Sequence, residues 1–163
     1  MRSALLIGVI SLAGCVAAPQ TRDELKTTAV AHPSLSVVGS HTSNRRLEDV
    51  AATLERKWRE CYSVRRTTTR TASSGAMAAY RDTYHPKSRR VSNSLIEMTL
   101  QMTTEGMTSL TKLPPGGEYL VALDLERAPG NKTKVTWYSI RGWTDSWERN
   151  KQWSDGKDLA CEA

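Results

Sequence analysis

Two runs of this chain alternate apolar and polar residues with a period of two. In the first, Ile96, Met98, Leu100 and Met102 interleave with Glu97, Thr99, Gln101 and Thr103. In the second, Tyr119, Val121, Leu123 and Leu125 interleave with Leu120, Ala122, Asp124 and Glu126. Successive side chains of a strand point to opposite sides, so this spacing predicts a sheet with one buried and one wetter face. Ala128-Pro129-Gly130-Asn131-Lys132 follows as a turn of hairpin length, and residues 133–140, rich in β-branched and aromatic types, return antiparallel. A weaker strand signal over 76–84 is expected to stop at His85-Pro86, because proline cannot donate to a ladder. Residues 87–90 then read as a charged turn.

Helical spacing appears earlier. Leu47, Val50, Ala51, Leu54, Trp58 and Cys61 recur on one face, with Arg45, Arg46, Glu48, Asp49, Glu55, Arg56, Lys57 and Arg59 on the other. Ser43 or Asn44 is the expected cap. Residues 67–74 are polar and read as a loop. Residues 104–117 read as a connection in which Met107, Leu110 and Leu113 are expected to cover part of the core. A short terminal helix is predicted around Trp147 and Trp153, capped by Thr144 or Asp145 and stopped by Gly156. The expected fold class is α+β: an antiparallel sheet of about four strands, covered on one face by an N-terminal amphipathic helix and a short C-terminal helix. With 163 residues, 39% apolar and 25% charged, the chain has room for one ordinary domain and is neither a membrane bundle nor a disordered polymer.

The N-terminus is of another kind. Arg2 precedes an apolar run over 4–13, and Leu12-Ala13-Gly14-Cys15 follows. Ten apolar residues rise only about 15 Å as a helix, half of a ~30 Å bilayer core, which predicts a secretion signal rather than a span. The four residues Leu12 to Cys15 resemble the lipobox of bacterial lipoproteins. The resemblance covers this signal alone. It implies that residues 1–14 are removed and that Cys15 carries the lipid, including palmitate, as a membrane anchor. Val16, where an aspartate would retain the chain, implies the outer membrane under the sorting rule of enteric bacteria, with the domain facing the periplasm of the cell envelope.

Residues 15–42 are rich in Ala, Thr, Ser and Pro and read as anchor and flexible linker, with a root-mean-square reach of roughly 30 Å. Val37 and Val38 alternatively form an edge strand. The single α+β domain is then 43–163. In an oxidising compartment the two remaining cysteines, Cys61 and Cys161, are expected to pair, tying the end of the helix to the chain terminus.

Catalytic and metal-binding patterns are sparse. No His-x-x-x-His, Cys-x-x-Cys or paired carboxylate run supplies metal spacing, so no metal and no cofactor are expected. His85 with Asp82 and a serine is the nearest thing to a hydrolase set, without a Gly-x-Ser-x-Gly elbow, and a solvated turn explains the pair as well. Charge says more. Residues 43–90 hold twelve Lys and Arg against five Asp and Glu, a net of +7, while 91–163 hold eight against ten, a net of −2. Arg65, Arg66, Lys87, Arg89 and Arg90 are the candidate binding residues, suited to phosphate or carboxylate. A secreted, lipidated chain makes nucleic acid a poor partner. The expected function is therefore a non-enzymatic, membrane-anchored envelope lipoprotein. Its small domain would bind a protein or an anionic polymer or lipid head group. A wall- or lipid-active hydrolase and a purely structural tether are the alternatives.

Overall fold

The structure, a computed structural model, describes residues 18–71, 77–105, 114–140 and 144–161. Its elements are α1 (Arg22–Ala31), β1 (Ser36–Ser43), α2 (Leu47–Tyr62), β2 (Arg65–Thr71), β3 (Met77–Arg90), β4 (Leu95–Glu105), β5 (Glu118–Ala128), β6 (Lys132–Ile140) and α3 (Thr144–Ser154). Among the described residues the strands form one antiparallel sheet of six, in the order β1-β6-β5-β4-β3-β2. The expectation of four strands under helices on one face is therefore corrected. The two extra strands are the two edges. β1 pairs with β6 from Ser36 opposite Ile140 to Ser43 opposite Thr133, and β2 pairs with β3 from Arg65 opposite Thr83 to Thr71 opposite Met77.

The linker expectation for 15–42 is corrected with it, because α1 and β1 occupy most of that segment. α1 begins at a capped end: the Thr21 hydroxyl accepts from the Glu24 N–H at 3.1 Å, and Asp23 and Glu24 complement the positive end of the helix dipole. Its buried side is narrow, Leu25 and Ala29. The amphipathic helix read from Leu47 onward is α2, so it is the second helix and not the N-terminal one. Ser43 does not cap it. The Ser43 hydroxyl donates to the Ser154 carbonyl at 2.7 Å, Arg46 stands at the cap position, and no side chain bonds there.

α2 and α3 cover what we term the first face of the sheet. Register aligns Ile96 with Leu125, Met98 with Leu123 and Leu100 with Val121, and β6 adds Val135 and Trp137, all at most 4% exposed. A chain without phenylalanine fills this core with indoles. Trp58 meets Trp137 and Tyr62 edge-on at centroid distances of 6.5 and 5.8 Å, and its Nε1–H donates to Asn150 Oδ1 at 2.6 Å. Trp147 lies flat against β1 at Gly39, where an added Cβ would stand 2.7 Å from its ring, so the strand glycine is there to admit the indole.

β3 runs through Pro86 instead of stopping there, and 87–90 are strand, not turn. The reason lies in the length of β2. It begins opposite Thr83, and the last bond toward that side is from Tyr84 N–H to the Val64 carbonyl at 3.3 Å. Beyond it β3 is itself an edge, and the donor that Pro86 lacks would have faced solvent. The β5–β6 hairpin forms as expected, turning through Gly130 and Asn131, both with positive φ. Between β4 and β5 the register shifts. Leu100 lies opposite Val121 but Gln101 opposite Tyr119, so the extra residue Leu120 interrupts the even alternation expected over 119–126.

Cys61 and Cys161 are joined by a disulfide. The tail that it holds is also tied by Lys57, whose Nζ donates to the Leu159 carbonyl at 3.0 Å and pairs with Asp158 at 2.5 Å, and by Trp153 Nε1–H on the same carbonyl at 3.1 Å. Met107, Leu110 and Leu113 lie outside the described residues. No helix among the described residues is long and apolar enough to cross a membrane.

Candidate functional site

The second face of the sheet divides into two halves. α1 lies across β1, β6 and β5, and it is attached there by charge as much as by Leu25 and Ala29. Arg22, 11% exposed, donates to the Leu123 carbonyl at 2.9 Å and to Asp124, and its other terminal nitrogen lies 3.2 Å from Glu97. Lys26 reaches Asp124 at 2.6 Å and stands 5.0 Å over the Tyr138 ring. Asp124, expected on the wet side of its strand, is thus buried between two cations.

The other half, over β4, β3 and β2, carries no helix among the described residues. Alternation places Arg65, Arg81, Lys87 and Arg89 on it, together with Thr83, His85, Thr99, Gln101 and Thr103. Arg89 donates to Glu97 at 2.6 Å; that carboxylate lifts the guanidinium pKa further above its ordinary value, chiefly through the hydrogen bond. Arg81 and Arg65 share Glu105 at 3.3 and 4.0 Å. Lys87 is different, since among the described residues its ammonium meets a neutral oxygen, Gln101 Oε1, at 2.9 Å. Gln101 is 1% exposed and fully used: its amide nitrogen donates to the carbonyls of Pro115 and Gly117 at 3.2 and 3.0 Å. Those bonds fasten the segment that opens β5 under the site. Gly117, at φ 93°, sits so close to β4 that an added Cβ would fall 2.0 Å from the Met102 carbonyl oxygen.

Of the five candidate binding residues, the sheet brings Lys87 and Arg89 together on the second face and puts Arg65 on that face too, at the far strand. Arg66 and Arg90 are their sequence neighbours and so turn to the first face, where Arg90 lies 3.9 Å from Glu48 on α2. One basic patch of five is therefore not formed. Arg81, which is not among the sequence candidates, joins the second-face set through its register opposite Thr67 and Glu105. Cys15 lies outside the described residues.

The His85 and Asp82 pair is also separated, because three residues apart on a strand means opposite faces. His85 Nε2 hydrogen-bonds the Thr103 hydroxyl at 3.0 Å, while Asp82, 1% exposed, accepts from the Thr68 and Thr104 hydroxyls at 3.0 and 2.6 Å on the first face. A shallow cleft of about 260 Å³ between α2 and β3, lined in part by Glu55, Arg59, Pro86 and Ser88, opens on that first face, away from His85. Among the described residues no three His, Cys, Asp or Glu side chains gather as a metal would require.

The ion network under α1 was missed for a definable reason. Its one sequence signal is Asp124, a single acid inside the apolar stretch Leu120-Val121-Ala122-Leu123-Asp124-Leu125, and its partners stand about a hundred residues earlier.

No family model and no curated protein matches the chain. Three solved structures are similar to it at low identity. One is an uncharacterized protein from Rhizobium leguminosarum, 14% identical, covering 75% of this chain and 95% of that one with a TM-score of 0.29. Another, from Mesorhizobium loti, is 14% identical over 76% of this chain and 99% of that one, with a TM-score of 0.34. The third, from Mycobacterium smegmatis, is 10% identical over 80% and 94%, with a TM-score of 0.33. Likenesses this loose assign no family and no activity.

Proposed function

We propose that this chain is a lipid-anchored protein of the bacterial cell envelope, without catalytic activity, whose open sheet face binds an anionic envelope component. The observation that carries the anchor is the Leu12-Ala13-Gly14-Cys15 sequence behind a ten-residue apolar run. Acylation of Cys15 leaves the domain tethered, and Val16 directs it to the outer membrane, facing the periplasm. The binding part of the reading is supported by four cations, Arg65, Arg81, Lys87 and Arg89, which meet two carboxylates, Glu97 and Glu105, among the described residues of this half-face. The separation of His85 from Asp82 supports the non-enzymatic reading over a hydrolase. Wild-type cells fed radiolabelled palmitate should label this chain, and Cys15→Ser should lose the label and move to the soluble fraction. A Cys15→Ser chain that stays in the membrane fraction refutes the anchor.

A further inference from the structure

We infer that the anionic component met by the open half of the second face is the phospholipid surface that holds the anchor itself, with Lys87 and Arg89 as the contacting cations. This rests on acylation of Cys15. Pro19 is already buried in the domain, and four residues of chain span at most about 14 Å, so the membrane lies close to the start of α1. That start is at the border of the open half. The first turn of α1 and the strand β3 meet there on one side chain, since Arg22 and Arg89 lie 3.2 and 2.6 Å from the two oxygens of Glu97. The Arg89 side chain is 75% exposed, and the Lys87 ammonium has no carboxylate beside it among the described residues. The outer side of α1 is the competing surface, and it carries the exposed acids Asp23 and Glu24, which anionic lipid repels. Charge and tether length therefore select the same side of the molecule. Each basic residue close to an anionic surface strengthens attachment by about fivefold.

The test uses the full acylated chain in vesicles of phosphatidylcholine with phosphatidylglycerol. A photo-reactive residue is placed at Thr99, on the open half, or at Ala52, on the exposed side of α2 against the first face. Lipid adducts are expected at 99 and not at 52, and the yield at 99 should fall about fivefold for Lys87→Gln and again for Arg89→Gln, and likewise when phosphatidylglycerol is omitted. Palmitate incorporation is read in the same samples. A labelled chain with lipid adducts at 52, or equally at both, overturns the orientation and leaves the anchor standing. Adducts at 99 to protein in place of lipid, in envelopes treated the same way, overturn it in favour of a protein partner. A chain without palmitate overturns the anchor and the inference together.

Discussion

The two faces of this sheet are held together by different physics. On the first face, α2 and α3 meet a continuous apolar surface in which Trp58, Trp137 and Trp153 are wholly buried. On the second, α1 buries only Leu25 and Ala29 and depends on Arg22 and Lys26 reaching Asp124 and Glu97, while the other half is left to polar side chains. Apolar burial is non-directional and scales with area, so the first face tolerates repacking and loses stability in proportion to volume removed. A network of partly buried charges is all or nothing: removing one member leaves the others desolvated without compensation.

The largest effect is expected where the first face is emptied. Trp58→Ala should destabilise by about 3–5 kcal/mol in chemical denaturation, because it opens a cavity beneath α2 and frees Asn150 Oδ1. A loss below 1 kcal/mol would mean that the indole cluster does not carry the fold. Next comes the staple of the same face. Cys161→Ser should cost about 2–4 kcal/mol, since the bridge spans 100 residues. The second face should respond differently in kind: Asp124→Ala is expected to cost about 2 kcal/mol, less than a fully buried pair because Lys26 remains 27% exposed. Amide exchange should rise at Leu25 and Ala29 and leave α2 protected. Equal loosening of both helices would erase the distinction between the faces. Lys87→Ala, on the open half, should cost about 1 kcal/mol, since it takes the lysine donor away from the Oε1 of the buried Gln101.

Acid gives the smallest and most local effect. Asp158 is held below the usual carboxylate range, first by the hydrogen bond from Lys57 and then by its charge. A depressed folded-state pKa contributes stability above the unfolded value of about 3.9, lost as pH falls through the lower folded one. Protection of the Lys157 amide, which donates to the Gln152 carbonyl at 3.0 Å, should therefore fall relative to its intrinsic rate as pH drops below about 4, before the core responds, and a tail indifferent to pH there would exclude the Lys57 contact.

The same division explains what could be read in the sequence. Strands β4, β5 and β6 and helices α2 and α3 announce themselves because each lays an apolar stripe on the first face, and period counting detects such stripes. β1 shows only as the alternative edge strand at Val37 and Val38, and β2 not at all, because Ser-Val-Val-Gly-Ser-His-Thr-Ser and Arg-Arg-Thr-Thr-Thr-Arg-Thr are edge strands with little to bury, and their order comes from pairing with β6 and β3. α1 escaped for the parallel reason that its buried stripe is two residues long. The candidate site suffered from the same gap: a count of charges finds the arginines, but only strand parity tells that Arg65 and Arg66, or Arg89 and Arg90, face opposite ways. Without β2 and the full length of β3, that parity was not available.

Native-state hydrogen exchange across 22–43 tests the account at its centre, since the covered half of the domain's second face depends on that segment being folded onto the sheet. Amides of β1 from 37 to 42 that face β6, and of α1 from 25 to 29, should exchange slowly and recover together with those of β6. Exchange of the whole segment at the rate of an unstructured chain, with α2 and β6 still protected, would contradict it.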